Sequence, residues 1–404
     1  MINKKYLDVI KNSNQPIAFV LGSYLTSGLG VVRSLGREGI KTIVVASDKN
    51  QISFFSKYAN GVLCPNPKDK EEEYINFLIN LGEKLKHKGV LLPISDTEAI
   101  AILKNQKKLI NYYNFTSAGY KIVDKIINKN KFYKILDDKK IPHPRTYFPN
   151  KNTDIEDISE KIVYPCILKP VYSSYFMSDF KTKLFKAENK NELINCYKIV
   201  QDKNHEVNIQ EIIPGEANKQ YGLNAFYNHN FNPAGVFMYR RIRGWPIGFG
   251  NGCYIESVWQ EELEKIITPL IKNLKYFGIV DVEFKKDIRD DLFKIIEINP
   301  RIWMQNSLPT RCGLNIPLLA YYEAIGKPIK DMILKKDKIK WLYMTDDFKS
   351  SVYNIREGRL TIADWIKSYS GKKELAVFDL KDMFPFIVLF ARTSLMPFTN
   401  LIKK

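Results

Sequence analysis

The segment "VEFKKDIRDDLFKIIEINPR", residues 282–301, carries two glutamates at either end of a charged turn. Val280, Val282 and Phe284 alternate with Asp281, Glu283 and Lys285, while Phe293, Ile295, Glu297 and Asn299 share one parity beyond the turn. Successive side chains of a strand change faces, so a hairpin folded about Asp290 sets Glu283 opposite Glu297. Directly opposed residues have Cβ atoms roughly 4.5–5.5 Å apart. Two carboxylates at that range do not both stay ionised without a cation. Magnesium accepts such a pair together with phosphate oxygens, with manganese as the alternative ion. Asn299 adds a neutral oxygen on the same face, and Arg301 a donor suited to phosphate or carboxylate. The bland alternative is an edge hairpin whose acids point to water among lysines.

A second constellation is "YRRIRGWPIGFGNGCYIESV", residues 239–258, where Arg240, Arg241 and Arg243 precede a Gly-Pro-rich loop. Arginine binds carboxylate bidentately, and alternation puts Arg241 and Arg243 on one face. These two are the candidates for holding an anionic substrate; a solvated basic strand edge is the alternative.

The elements that must position these groups read as mixed α and β. "IAFVLG" (17–22), "TIVVASD" (42–48) and "GVLLPISD" (89–96) are apolar strand runs separated by helical patterns, which implies a parallel sheet flanked by helices. Gly22, Gly28 and Gly30 lack GxGxxG spacing, so dinucleotide binding is not indicated. A helix over 123–140 is stopped by "IPHPR", "YPCILKP" (164–170) is strand-like, and "EVNIQEIIPGE" (206–216) is a strand broken by Pro-Gly. "QYGLNAFYN" and "NPAGVFMYRRIR" follow as strands, and a helix over 260–278 leads into the hairpin. Boundaries fall near residues 118 and 330, giving an α/β unit over 1–118, a central α+β domain over 119–330 with a subdomain at about 160–210, and an extension over 331–404.

The chain of 404 residues is 45% hydrophobic with a mean hydropathy of -0.26, as in a globular protein. A formal charge of +18 favours an anionic partner such as nucleotide phosphates, acidic substrates, nucleic acid or an acidic membrane leaflet. Five scattered cysteines without CxxC spacing fit a reducing, cytoplasmic setting, and four unpaired histidines argue against zinc. No basic–aromatic stacking platform is present, which sets nucleic-acid binding aside.

"GIVDVEFKKD…FKIIEINPR" resembles the metal-binding hairpin of the ATP-grasp superfamily, and upstream landmarks recur in that family's order. "NKNKFYKILDDKKIPHP" is similar to its first lysine element, with Lys129; "YPCILKP" to its second, with Lys169; and "IQEIIPGE" to its adenine linker, where Glu211 and the Ile213 backbone would address the base and Glu216 the ribose. The resemblance covers about residues 17–330 and implies a Rossmann-like pre-ATP-grasp domain followed by an ATP-grasp domain. It implies Glu283, Glu297 and Asn299 as magnesium ligands and Arg301 as a phosphate or acyl-phosphate contact. One departure stands out: the family's Gly-rich phosphate loop is replaced by "VYSSYFMSDFKTK", where Ser173, Ser174 and Lys183 would donate instead.

ATP-grasp enzymes commonly activate a carboxylate as an acyl phosphate for attack by an amine, forming ADP. The Arg-rich segment and "RIWMQNSLPTRCGLNIP" resemble the carboxylate–amine ligases of the D-aspartate ligase type, implying small-molecule carboxylate and amine substrates. A nucleotide-binding regulator without turnover is the alternative. "DMFPFIVLFARTSLMPFTNLIKK" (382–404) is too broken by proline to span a bilayer; a membrane interface, the protein's own surface or a homodimer contact could receive it.

Overall fold

The computed structural model describes residues 5–22, 25–150, 152–328, 334 and 338–394. Five parallel strands come first: β1 (Ala18–Leu21), β2 (Thr42–Ala46), β3 (Ala59–Leu63), β4 (Gly89–Pro93) and β5 (Tyr113–Phe115). They lie in the order β3–β2–β1–β4–β5. Every residue of β1, β2 and β4 is buried, which is why these strands read as continuous apolar runs. The partly exposed β3 ("ANGVL") and β5 ("YNF") carry polar residues and left no such signature. The strand order reverses between β1 and β4, the place where an open α/β sheet leaves a crevice at its carboxyl edge.

A smaller antiparallel sheet follows, made of β6 (Thr146–Tyr147), β7 (Cys166–Pro170), β8 (Phe185–Ala187) and β9 (Val207–Glu211) in the order β6–β9–β7–β8. Helices Asn152–Lys161 and Lys190–Gln201 contribute to its separate apolar core, which includes Ile158, Leu168, Phe176, Leu193 and Ile209. We label this four-stranded unit the lid, as a name for its place in the fold.

The central sheet contains β10 (Gln220–Tyr227), β11 (Pro233–Trp245), β12 (Asn251–Ser257), β13 (Gly278–Lys286), β14 (Phe293–Asn299), β15 (Lys340–Leu342) and β16 (Lys373–Leu375). Its order is β14–β13–β10–β11–β12–β15–β16. Part of the segment read as a Gly-Pro-rich loop is therefore strand β12, and the extension after residue 330 supplies two strands of this sheet. One apolar cluster runs from Phe19, Leu91 and Tyr113 of the first sheet to Leu223, Val280, Val282 and Ile295 of the central one. Hydrogen bonds from Thr26 to the Met304 carbonyl and from Asn306 to the Ser27 carbonyl fasten the same junction. Gly30 is required there: a Cβ would overlap the Asn306 amide. The lid has its own core, while the first and central sheets share two.

The helix expected over 123–140 is two helices, Tyr120–Ile127 and Lys129–Asp138. Asn128 leaves helical geometry, and its side chain accepts a hydrogen bond from the Lys131 backbone N–H, which caps a new helix. Lys129 consequently starts a helix rather than lying inside one.

Candidate functional site

Glu283 pairs directly with Glu297 across the β13–β14 ladder, Val282 with Ile298 and Asp281 with Asn299. Nearer the turn the register is displaced: Phe284 pairs with Ile295, Lys285 with Lys294 and Lys286 with Phe293. Ile296 is the extra residue, so the acids meet through a bulge and not through a symmetric fold about Asp290. The Ile296 carbonyl accepts hydrogen bonds from the Tyr133 hydroxyl and, at 3.4 Å, from Lys169 Nζ.

Two lysines from different units meet at Glu297. Lys169, on lid strand β7, places Nζ 3.3 Å from Glu297 Oε2, and Lys129, at the start of its helix, places Nζ 3.9 Å from the same atom. Burial works against the Lys169 charge, yet the Tyr133 phenol and Glu297 outweigh it and raise its pKa. Burial dominates at Lys129 and lowers its pKa, opposed by Glu297. Glu297 is held well below the usual carboxylate range because Lys169 and Lys129 overcome its burial. Glu283 moves the other way, raised by burial and by the neighbouring Glu297 charge. The two lysines thus favour Glu297, while the cations that reach Glu283 only partly offset its rise.

That imbalance bears on a metal ion. Among the described residues no group of three or more His, Cys, Asp or Glu side chains is placed to hold one. Magnesium does not need such a cage, since it is bound through one or two carboxylates with waters and substrate phosphates. The paired glutamates and the Asn299 amide fit that donor set. Asn299 Nδ2 lies 3.3 Å from Asp281 Oδ2 and 3.4 Å from Glu297 Oε1, and its Oδ1 accepts from Arg301 at 3.3 Å. Arg301 Nε also donates to Asp96 Oδ1 at 2.8 Å, joining the hairpin to the helix after β4. Asp96, Lys129, Tyr172, Glu297 and Asn299 line one cleft with Ile126, Phe132 and Val171.

The linker residues are placed less simply. Both carboxylate oxygens of Glu211 are engaged, one by the Arg145 backbone N–H at 2.9 Å and the other by Arg289 at 3.0 Å. Its side chain thus braces the linker. Ile213 is buried and Glu216 exposed. The glycine-free stretch forms a helix, Ser173–Phe180, instead of an open loop; the side chains of Ser173 and Ser174 lie outside the described residues. Lys183 reaches from the lid to Asn251 Oδ1 at 3.2 Å, and its charge is felt by both Glu283 and Glu297.

The two arginines part company, which corrects the shared-face expectation. The β11–β12 register shifts between Arg241 and Arg243 and again after Arg243. Arg243 is buried in a two-point ion pair with Asp347, at 2.7 and 3.1 Å, beside Tyr254 and Tyr369. It has no reach left for a substrate carboxylate. Arg241 stays at the site: its charge acts on Glu283, one N–H donates to the Gly250 carbonyl at 2.9 Å, and its buried Nε lacks a hydrogen-bond partner among the described residues.

Three further residues belong to the same face. Asp281 is buried, accepts from Asn224 at 2.7 Å, and is raised above the usual carboxylate range by burial and by Glu283. Its parity with Glu283 in "VDVEF" was the available signal. Tyr239 lies over Gly222, where a Cβ would overlap its ring, so that glycine makes room beside Glu283. Lys285 donates to the linker carbonyls of Gly215 and, at 3.0 Å, Glu216. Burial, with help from Arg241, lowers its pKa to about 8. Nothing in the sequence distinguished Lys285 from the many surface lysines.

Residues 126–304 match the family model described as an ATP-grasp domain, and they follow a Rossmann-like parallel sheet. Among curated proteins it is similar to the D-aspartate ligase of Enterococcus faecium (strain Aus0004), 24% identical over 285 residues that make up 67% of this chain and 68% of that protein. It is also similar to the carbamoyl phosphate synthase large chain of Thermoanaerobacter sp. (strain X514), 22% identical over 267 residues, 63% of this chain and 23% of that one. The chain therefore spans about a quarter of this second relative. Among solved structures, a biotin carboxylase–beta-gamma-ATP complex from Campylobacter jejuni matches with a TM-score of 0.62 at 16% identity, over 79% of this chain and 74% of that one. An L-amino acid ligase from Bacillus licheniformis matches with a TM-score of 0.60 at 16% identity, over 79% and 76%. Likeness at these identities defines the fold.

Proposed function

We propose that this chain is an ATP-dependent carboxylate–amine ligase that works with magnesium and forms ADP and phosphate. The observation that carries the reading is the meeting of Lys169 and Lys129, from lid and helix, on Glu297 directly opposite Glu283. Phosphoryl transfer demands positioning and charge neutralisation more than covalent help from the protein. Lys129, Lys169 and the lid's Lys183 are the groups that would hold the triphosphate. The backbone of the linker around Ile213, braced by Glu211 and clamped by Lys285, would receive the base, and Glu216 would face the ribose. Glu283, Glu297 and the Asn299 oxygen would hold magnesium, which when bound neutralises phosphate charge.

Arg241 would orient the substrate carboxylate with its spare buried donor. An oxygen of that carboxylate attacks the γ-phosphorus, the bond to the β-bridging oxygen breaks, and ADP departs. Arg301 would stabilise the acyl phosphate. An amine then attacks the acyl carbon, loses its proton, and phosphate leaves as the C–N bond forms. The Enterococcus relative makes D-aspartate the first carboxylate to try.

The second reading, a nucleotide-binding regulator without turnover, is favoured by one observation: a helix stands where a Gly-rich loop would close over phosphates. An ADP-release screen over D- and L-amino acids with amine acceptors separates the two. Release that depends on both a carboxylate and an amine supports the ligase. ATP binding without release under any pairing supports the regulator.

A further inference from the structure

The helix Phe384–Ser394 turns Phe386 and Leu389 inward against the protein. Its outer side leaves Phe384, Ile387 and Phe390 exposed by 56%, 52% and 62%, and Leu380 just before it by 81%. Phe384 meets Phe55 edge-on, with ring centroids 5.9 Å apart, and Arg392 lies over the Phe55 ring while donating to the Asn50 carbonyl. Scattered apolar residues on a surface need no explanation, but a contiguous aromatic face marks an interaction site.

This face is held rigidly. Asp382, almost completely buried, accepts from Arg33 Nε at 2.9 Å, Ser56 Oγ at 2.7 Å and the Lys57 backbone N–H at 2.9 Å. Arg33 also donates to the carbonyls of Val377 and Asp382. The apolar face is thus mounted on the first α/β unit, with its ordering already done.

Charge selects the occupant. Lys381 precedes the helix, the Lys57 backbone N–H bonds Asp382, and Lys49 adjoins Asn50, whose carbonyl accepts from Arg392; the three lysines are exposed and Arg392 is half-buried. The neighbouring acids Asp379 and Asp382 are paired with Arg37 and Arg33, and the exposed Asp48 stands beside Lys49. The residues that follow, "LMPFTNLIKK", contain no acid, and the whole chain carries +18. Among the described residues no helix is long and apolar enough to cross a membrane. An aromatic face inside a basic collar, on a chain of like charge, is suited to the interface of an anionic bilayer and repels a second copy of itself.

We infer that Leu380, Phe384, Ile387 and Phe390, collared by Lys49, Lys57, Lys381 and Arg392, form a docking surface for an anionic lipid bilayer. The test is flotation of the full chain with vesicles of phosphatidylcholine alone or of equimolar phosphatidylcholine and phosphatidylglycerol. The expected result is co-flotation with the anionic vesicles only, released by high salt. Bound fraction should fall by about tenfold or more in a Phe384→Ser, Ile387→Ser, Phe390→Ser variant whose melting temperature is unchanged. Lys57→Glu with Lys381→Glu, both on exposed side chains, should give the same loss and guards against a misfolded serine variant. Absence of flotation, flotation unaffected by both variants, or a concentration-dependent dimer abolished by the serine variant would each overturn the inference.

Discussion

Glu283 faces Glu297 because a single inserted residue, Ile296, shifts the β13–β14 ladder by one position. Without that bulge the register near the turn would carry Glu283 opposite Ile296 and put Glu297 on the other face. The close approach of two acids is therefore built in locally, and it sets stability against activity. Replacing Glu283 by Gln removes a buried like-charge contact, so the metal-free protein should melt higher, by about 1 kcal/mol of added stability. The same change should lower ADP formation by about a hundredfold or more. Calorimetry without metal and a coupled ADP assay check the two signs, and a variant that melts lower contradicts the electrostatic account.

Lys169 contributes a charged donor from the lid, and truncating it should weaken nucleotide binding. A Lys169→Met variant should bind ATP roughly tenfold to hundredfold more weakly, as loss of a hydrogen bond to a charged group worth about 1.5–3 kcal/mol implies. Titration calorimetry with a non-hydrolysable ATP analogue measures this directly.

Arg241 and Arg243 should separate cleanly in mutagenesis. Arg243→Ala leaves Asp347 buried and unpaired, a loss of about 3–5 kcal/mol seen as a lower melting temperature. Arg241→Lys keeps the charge but not the planar fork, so it should raise KM for the carboxylate substrate while the melting temperature barely moves. Equal thermal loss in both variants would show that Arg241 is structural.

Glu374, beside Trp341 in the β15–β16 pairing, has its pKa raised from 4.5 to about 7 by burial, against the opposing pull of Arg37 and Arg311. The folded state then binds a proton that the unfolded chain has already released, so stability falls as pH rises. The contribution is fully present below 4.5 and is lost as pH passes through about 7. Glu374→Gln should flatten that part of the curve; the difference between wild type and variant, followed by denaturant melts across this range, is the measurement.

Much of the site was legible because motif order is a local property, although Glu283 meets Glu297 through the Ile296 bulge and not through the parity read from the sequence. The acids of β13 and β14, the two lysines and the linker are each marked by a short run of residues. What stayed hidden depends on single-residue events that parity does not encode. The bulges around Arg243 redirected one arginine to Asp347, more than a hundred positions away in sequence. Asn128 broke a helix through one side-chain hydrogen bond at the start of the polar run "NKNK". Strand β12 was masked by the glycines of "GFGNGCYIESV", and β15 and β16 are three-residue strands whose pairing partners lie far along the chain. Lys285 gains its role from burial, which a lysine-rich composition conceals.

The contact of Lys129 and Lys169 with one glutamate oxygen has a consequence for loading. If the two lysines hold phosphate as proposed, that carboxylate would be its internal stand-in in the resting cleft. With both ammonium groups on one of its oxygens, that carboxylate is less available to a divalent ion. On the proposed reading, a triphosphate would take over the lysines while its accompanying ion took over Glu297, so that nucleotide and metal would enter together through an exchange of partners.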